Sequence, residues 1–102
     1  MSEWAQREVT PPKVKEWQHL PTGVILFITE REDGASYGVH IQATPEGSLD
    51  RVSIGDPETG LFEEFEDSGR AVRWTDEWKE QEAVLHALVV AEEAASDGGT
   101  EE

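Results

Sequence analysis

The three histidines are the residues of this chain best suited to acid–base or metal chemistry, but their spacing favours neither role. His19, His40 and His86 form no pair four residues apart, and none belongs to the His-Glu-x-x-His pattern that presents two imidazoles to zinc from one helix. A catalytic or metal site needs several convergent partners. We therefore expect structural or solvated histidines, with no metal and no bound cofactor.

Nucleophilic chemistry also lacks a sequence signature. The serines at positions 36, 48, 53 and 68 lie in or beside predicted turns, and none occurs in a Gly-x-Ser-x-Gly elbow. The chain contains no cysteine and no glycine-rich phosphate loop, which argues against thiol catalysis and nucleotide cofactors. A hydroxyl, an imidazole and a carboxylate could still converge in space, but a sequence does not reveal such a trio. We predict a protein that is not an enzyme.

Two groups of carboxylates are candidates for ligand contacts. Asp56 and Glu58 share a turn and could offer oxygens to a hard cation, although the spacing is not that of an EF-hand loop. A denser group follows at Glu63, Glu64, Glu66 and Asp67. An acid pair can act in general acid–base catalysis, but a run of like charges is more typical of a solvated face. We interpret the second group as a solvated surface that could contact a partner.

The four tryptophans divide into core and surface candidates. Trp17 and Trp78 are expected in the core, because a chain this short has few other large apolar groups. Trp74 stands four residues before Trp78 at the entry to a predicted helix, where it could stack on Trp78 or complete the edge of the sheet. Trp4 lies among polar neighbours, which is typical of an interface anchor. The predicted partner-binding residues are thus Trp4, Trp74, Glu63, Glu64, Glu66 and Asp67.

Charge limits the classes of partner. The 102 residues carry 23 acidic and 8 basic side chains, a net charge of −15 that disfavours direct binding of nucleic acid or an anionic membrane. The acid excess resembles in composition the proteins of salt-loving archaea, where screening removes most of the self-repulsion. Neither a secretory signal nor an apolar run of transmembrane length is present, so we expect a protein of a high-salt cytoplasm.

The predicted organisation is a single α+β domain over residues 13–95. A polar N-terminal arm at 1–12 ends in two prolines, and the small acidic residues of 96–102 predict a disordered tail. The spacing of Val14, Trp17 and Leu20 predicts a short helical segment before Pro21.

The middle of the chain predicts an antiparallel meander of three to five strands. The continuous apolar run 23–29 suits a central strand covered on both faces, and the alternation at 37–44 and at 51–54 predicts two more strands. Turns are expected at Asp33-Gly34, at 45–47 and at 56–60. Residues 61–66 fit either a strand or a helical turn, and 71–74 fit a fifth strand after a turn at 67–70.

One long C-terminal helix completes the predicted fold. Thr75 or Asp76 could cap it, and apolar residues then recur at helical spacing on one face: Val84, Leu85, Leu88, Ala91 and Ala95. We expect this helix to lie across the sheet, with Trp78 near its start.

Two functions remain after these exclusions. The first is a non-enzymatic interaction module that uses the Trp4 arm, or a sheet edge, to bind a protein partner or a second copy. The alternative is a nucleic-acid mimic whose carboxylates between residues 58 and 93 occupy the basic groove of a DNA- or RNA-binding protein. An enzyme with a carboxylate-based or metal-assisted site ranks third.

Overall fold

The computed structural model describes residues 3–31, 34–45, 49–56 and 58–99, and it confirms the α+β class. Six strands precede two helices in the chain: β1 Trp4–Arg7, β2 Lys13–His19, β3 Ile25–Glu30, β4 Tyr37–Ala43, β5 Val52–Ile54, β6 Glu63–Phe65, α1 Ser68–Lys79 and α2 Ala83–Gly99.

All pairings in the described sheet are antiparallel, in the order β1-β2-β3-β4-β5, and β6 also pairs with β4. The short strands β5 and β6 lie along the same edge of β4, beside residues 41–43 and 37–39 respectively. The central position predicted for the 23–29 run is confirmed, because β3 lies between β2 and β4. Residues 61–66, left open between strand and helix, contain strand β6.

The register places one row of apolar side chains under the helices. Trp17, Leu26, Ile41 and Ile54 are neighbours across four strands and are all buried. They form a single core with inward-facing residues of both helices, among them Trp78, Val84 and Ala91. The opposite face of the same strands is more polar and carries Gln18, Gln42 and Ser53, because side chains alternate along a strand.

The helix predicted between Val14 and Leu20 is wrong. Residues 13–19 form β2, in which Trp17 is buried while Val14 and Leu20 are 36% and 63% exposed. The three-residue spacing therefore does not mark a common apolar face. Pairing of β2 with both β1 and β3 decides the conformation, and that pairing is invisible in a short local pattern.

Trp4 lies in a strand rather than in a flexible arm. Residues 4–7 pair with 16–19 of β2, and the backbone N–H of Leu20 donates to the carbonyl of Glu3 at 2.9 Å. The polar composition that suggested an arm is that of an edge strand, which needs few apolar side chains. Residues 1 and 2 lie outside the described residues.

The single long helix is also wrong, since the described chain has two helices. α1 begins at Ser68, where the Asp67 side chain accepts a hydrogen bond from the N–H of Gly69 at 2.8 Å. The turn predicted at 67–70 and the strand predicted at 71–74 therefore belong to α1, and the caps proposed at Thr75 or Asp76 lie inside it. α1 ends at Lys79, where the N–H of Glu80 donates to the carbonyl of Glu77, and α2 starts at Ala83.

The end of the chain departs from the expected tail. The backbone of α2 continues to Gly99, so residues 96–99 are helical, and 100–102 lie outside the described residues. The predicted turns at Asp33-Gly34 and at 45–47 fall partly outside them as well. In the described residues no helix is long and apolar enough to cross a membrane.

Candidate functional site

A layer of aromatic rings connects the sheet to α1. The ring centroid of Trp74 is 5.6 Å from Phe62 and 6.2 Å from Phe65, and Trp78 stacks on Trp74 at 6.5 Å. Trp4 meets Trp78 edge-on at 6.1 Å. The two tryptophans predicted to bind a partner thus pack against other rings, and Trp78 lies in the core as predicted.

Lys79 is held by an indole ring and a carboxylate. Its Nζ lies 4.0 Å from the ring centroid of Trp17 and 5.9 Å from that of Trp4, and only 14% of the side chain is exposed. The same Nζ is 3.4 Å from Oδ1 of Asp76. Because Trp17 belongs to β2 and Trp4 to β1, this cation–π contact ties the last turn of α1 to both strands.

Glu3, His19 and Thr22 form a polar trio beside Trp4. Nδ1 of His19 is 2.8 Å from Oγ1 of Thr22, and Nε2 is 3.2 Å from Oε1 of Glu3. A carboxylate oxygen only accepts, so Nε2 carries a ring hydrogen and donates it to Glu3. Thr22 Oγ1 accepts from the N–H of Val24 at 3.4 Å and lies within hydrogen-bond distance of Nδ1.

The trio has the residue types of a hydrolytic triad but the setting of a structural brace. The side chain of Glu3 is 68% exposed, and a carboxylate in water orients an imidazole only weakly. Thr22 lies three residues after His19, in the turn between β2 and β3. We interpret the trio as a link that holds this turn against β1 and fixes the Glu3 carboxylate.

Two neighbouring cavities form one groove along α2. A cavity of about 460 Å³ is lined by Glu3, Trp4, His19, Thr22, Lys79, Gln81, Glu82, Val84 and Leu85. A second, of about 440 Å³, is lined by Thr22, Thr44, Leu85, Leu88, Val89 and Glu92. They share Thr22 and Leu85. We call the whole the α2 groove, the first cavity its polar end and the second its apolar end.

The apolar end exposes large side chains. Leu85 is 59% and Val89 is 54% exposed, one helical turn apart, whereas Val84, Ala87 and Ala91 on the inner side of α2 are buried. Single exposed apolar residues are common on protein surfaces. A pair beside the half-buried Leu88 in a concave surface is more informative, because contiguous apolar patches mark contact sites.

Carboxylates stand at both ends of the groove. Glu3 and Glu82 line the polar end, and Glu92 lines the apolar end. Lys79 is the only lysine or arginine among the lining residues of the described chain, and its charge is already opposed by Asp76. The groove therefore combines exposed apolar side chains with carboxylates at both of its ends.

His40 lies on the opposite face of the sheet, away from the groove. Its ring stacks on Phe27 at 4.8 Å, with Nε2 3.1 Å from Oγ1 of Thr29 and Nδ1 3.0 Å from the carbonyl oxygen of Gly60. Burial lowers the pKa of His40 below its ordinary value, and the charges of Arg31 and Lys13 lower it further, against the hydrogen bond to Gly60. A neutral imidazole with both nitrogens engaged serves packing better than catalysis.

The predicted carboxylate groups make local contacts. Oδ1 of Asp56 accepts from the N–H groups of Glu58 and Thr59, so this turn closes on itself. Glu64 lies 3.7 Å from Arg31, and Asp67 caps α1. Over the described residues, no three His, Asp or Glu side chains are grouped to hold a metal ion.

Comparison with protein-family models, with curated proteins and with solved structures gives no match for this chain.

Sequence reasoning missed most of the groove. The helical spacing predicts Leu85 on the inner face of the last helix, and the sequence predicts no site role for Glu3, His19, Glu82 or Val89. One signal was present: Leu85 and Val89 are four residues apart and lie to one side of the buried stripe of α2. Two apolar stripes on one helix predict two packing partners.

Proposed function

We propose that this protein is a non-enzymatic interaction module that binds a basic amphipathic helix of a partner protein in the α2 groove. The observation that carries the proposal is the exposed pair Leu85 and Val89, set between carboxylates at either end of a concave surface. Amphipathic helices bind such grooves through apolar side chains spaced by one turn.

The size of the groove suits a short helix. From Glu82 to Glu92 the helix axis rises by about 15 Å, at roughly 1.5 Å per residue. That length accommodates two to three turns of a partner helix, with anchors at positions i, i+3 or i+4, and i+7. Leu85, Leu88 and Val89 would contact the anchors.

Charge favours a basic partner over a second copy of this chain. Two α2 helices packed antiparallel through the exposed pair Leu85 and Val89 would bring Glu82 of one copy close to Glu92 of the other. Like charges across an interface oppose association, and each chain carries a net charge of −15. A helix with lysine or arginine beside its apolar side chains avoids this repulsion and gains from attraction to the carboxylates at both ends of the groove.

The partner-binding role predicted for Trp74, Glu63, Glu64, Glu66 and Asp67 stays a prediction, as does a partner on a sheet edge. A nucleic-acid mimic remains the alternative, and it differs in what it requires. A mimic binds through its carboxylates and loses affinity steeply as salt rises. A groove binder in a high-salt cytoplasm keeps its apolar contacts, because screening acts on charge.

The test compares two synthetic peptides of identical composition. One places leucines on one helical face and lysines on the other, and the second scrambles this order. Fluorescence anisotropy at 0.2 M and 2 M KCl should show tighter binding of the amphipathic peptide at both salts. Replacing Leu85 and Val89 together by serine should weaken this binding at least about tenfold, since two apolar contacts are lost.

A matched control separates binding in the groove from non-specific binding by exposed apolar residues. Leu49→Ser removes a leucine that is fully exposed and does not line the groove, so binding should be unchanged. Equal binding of the two peptides, with loss only when Glu63, Glu64 and Glu66 become glutamine, would overturn the proposal in favour of the mimic. Failure to bind either peptide would also overturn it.

A further inference from the structure

We infer that the polar end of the α2 groove is a receptor for a side-chain cation, the ammonium of lysine or the guanidinium of arginine. The inference rests on the proposed function and adds to it the group by which the basic partner is recognised. The receptor consists of the indole of Trp4 and the carboxylates of Glu3 and Glu82.

The molecule already binds the ammonium group of its own Lys79 side chain by the same chemistry. Lys79 Nζ lies over the Trp17 ring at 4.0 Å and beside the Asp76 carboxylate at 3.4 Å. An indole face attracts a cation through its quadrupole, and a nearby carboxylate adds charge attraction. Lys79 lines the polar end too, with its Nζ 5.9 Å from the ring centroid of Trp4 and its charge opposed by Asp76. The carboxylates of Glu3 and Glu82 in the same cavity have no such internal cation in the described structure, so the cavity keeps a negative balance for a second cation.

His19 positions the Trp4 side of the receptor. His19 donates from Nε2 to Oε1 of Glu3 at 3.2 Å, which keeps this carboxylate beside the cavity. The ring centroid of His19 is 5.0 Å from that of Trp4, and Thr22 fixes the imidazole from its other nitrogen. Groups that are held in place before binding lose less entropy when a ligand arrives.

The cavity is large enough to admit a lysine or arginine side chain together with part of its backbone. Its volume of about 460 Å³ falls within the range of small-molecule sites, and Leu85 and Val84 at its border offer apolar contact to an alkyl stem. A lysine or arginine buries its stem along such a surface and keeps its charge at the polar tip. Because Thr22 and Leu85 also line the apolar end, a cation there would lie beside the apolar anchors of the same helix.

The experiment uses small probes, so that it does not depend on the peptide. Nα-acetyl-lysine methylamide and Nα-acetyl-arginine methylamide are titrated into the intact protein, with the uncharged norleucine analogue as the reference. The indole N–H resonance of Trp4 and the ring resonances of His19 are followed by NMR at 0.1 M KCl. We expect saturable shifts with a dissociation constant on the order of 1–10 mM for at least one cation, and none for norleucine.

Charge-neutral variants locate the site. Glu3→Gln and Glu82→Gln should each weaken cation binding by about threefold, as expected for a partly exposed ion pair. Glu77→Gln removes an equal charge from an exposed position of α1 that does not line the cavity, and it should leave the dissociation constant unchanged. The relative affinity of the two probes tells which cation the receptor prefers.

Shifts of equal size with norleucine, or equal weakening by Glu77→Gln and Glu82→Gln, would overturn the inference. The two proposals fail separately. One outcome is that the Leu85 and Val89 double variant still binds the cation probes while the wild-type protein does not bind the amphipathic peptide. In that case only the proposed function fails. If the peptide binds and the probes do not, only the cation receptor fails.

Discussion

The two helices lie over the same face of the sheet but differ in what they direct outward. α1 buries Ala71, Thr75 and Trp78, and its outward positions include the exposed charged residues Asp76 and Glu77. α2 buries Val84, Ala87 and Ala91, yet Leu85 and Val89 face outward. A helix that only closes a core has one apolar side, as α1 has. The second apolar side of α2 is not needed to close the core, which supports a contact beyond the chain.

The largest difference between the helices should appear in stability. Trp78→Ala removes a buried ring from the inner side of α1 and should lower the free energy of unfolding by about 3–5 kcal/mol. Leu85→Ala on the outer side of α2 should change it by less than about 0.5 kcal/mol. Urea denaturation followed by circular dichroism measures both. Similar losses for the two variants would show that Leu85 also serves the fold.

A smaller effect should follow from the contact that ties α1 to β1 and β2. Lys79→Met keeps the alkyl stem and removes the charge over Trp17, so we expect a loss of about 0.5–2 kcal/mol. Lys15→Met makes the same change of charge in β2 at a half-buried lysine and should cost less. Thermal or urea unfolding compares them. An equal loss in the two variants would mean that net charge, rather than the indole contact, is responsible.

The start of α1 offers a third measurement. Asp67→Ala removes the side chain that caps the helix and should lower the free energy of unfolding by about 1 kcal/mol, whereas Asp67→Asn keeps an acceptor and should cost little. Because Asp67 is also a predicted partner-binding residue, peptide binding should be measured with both variants. A loss of binding in Asp67→Asn with stability intact would favour a direct contact.

The smallest effect concerns the sheet face that neither helix covers. The pKa of His40 is lowered in the fold from 6.5, so the unfolded chain binds more protons near that pH. The stability that neutral His40 provides is present above about pH 6.5 and is lost as the pH falls from there through the folded pKa. His40→Gln should remove this part of the pH dependence. An unchanged slope of unfolding free energy between pH 7 and pH 5 would contradict the assignment.

Much of the fold could be predicted because some segments carry their own signal. The continuous run of β3 and the alternation of β4 depend on burial of their own side chains, which local pattern reports. β1 carries no such signal, since its four residues are held by pairing with β2. The break between the helices was missed because Glu80, Gln81 and Glu82 are all good helix formers. Packing of Trp78 and Val84 in one core sets that break.

The site was less predictable than the fold, for a related reason. Glu3, His19 and Glu82 come from three separate parts of the chain, and only the β1–β2 pairing and the turn before α2 bring them to one cavity. Helical spacing predicts only that Leu85 lies about 100° round the helix from Val84. Which side of α2 meets the sheet is decided by packing, and the core takes Val84, Ala87 and Ala91 and leaves Leu85 exposed.

The contact of Lys79 with the rings of β1 and β2 also has a dynamic consequence. Detaching β1 would take Trp4 away from both Lys79 and Trp78, so opening of the edge strand should loosen the end of α1. Trp78 and the contact of Lys79 with Trp17 remain, so amide hydrogens of residues 4–7 should exchange with solvent faster than those of the last turn of α1. A ligand bound at the polar end of the groove would slow exchange in both segments together, although nearly seventy residues of sequence separate them.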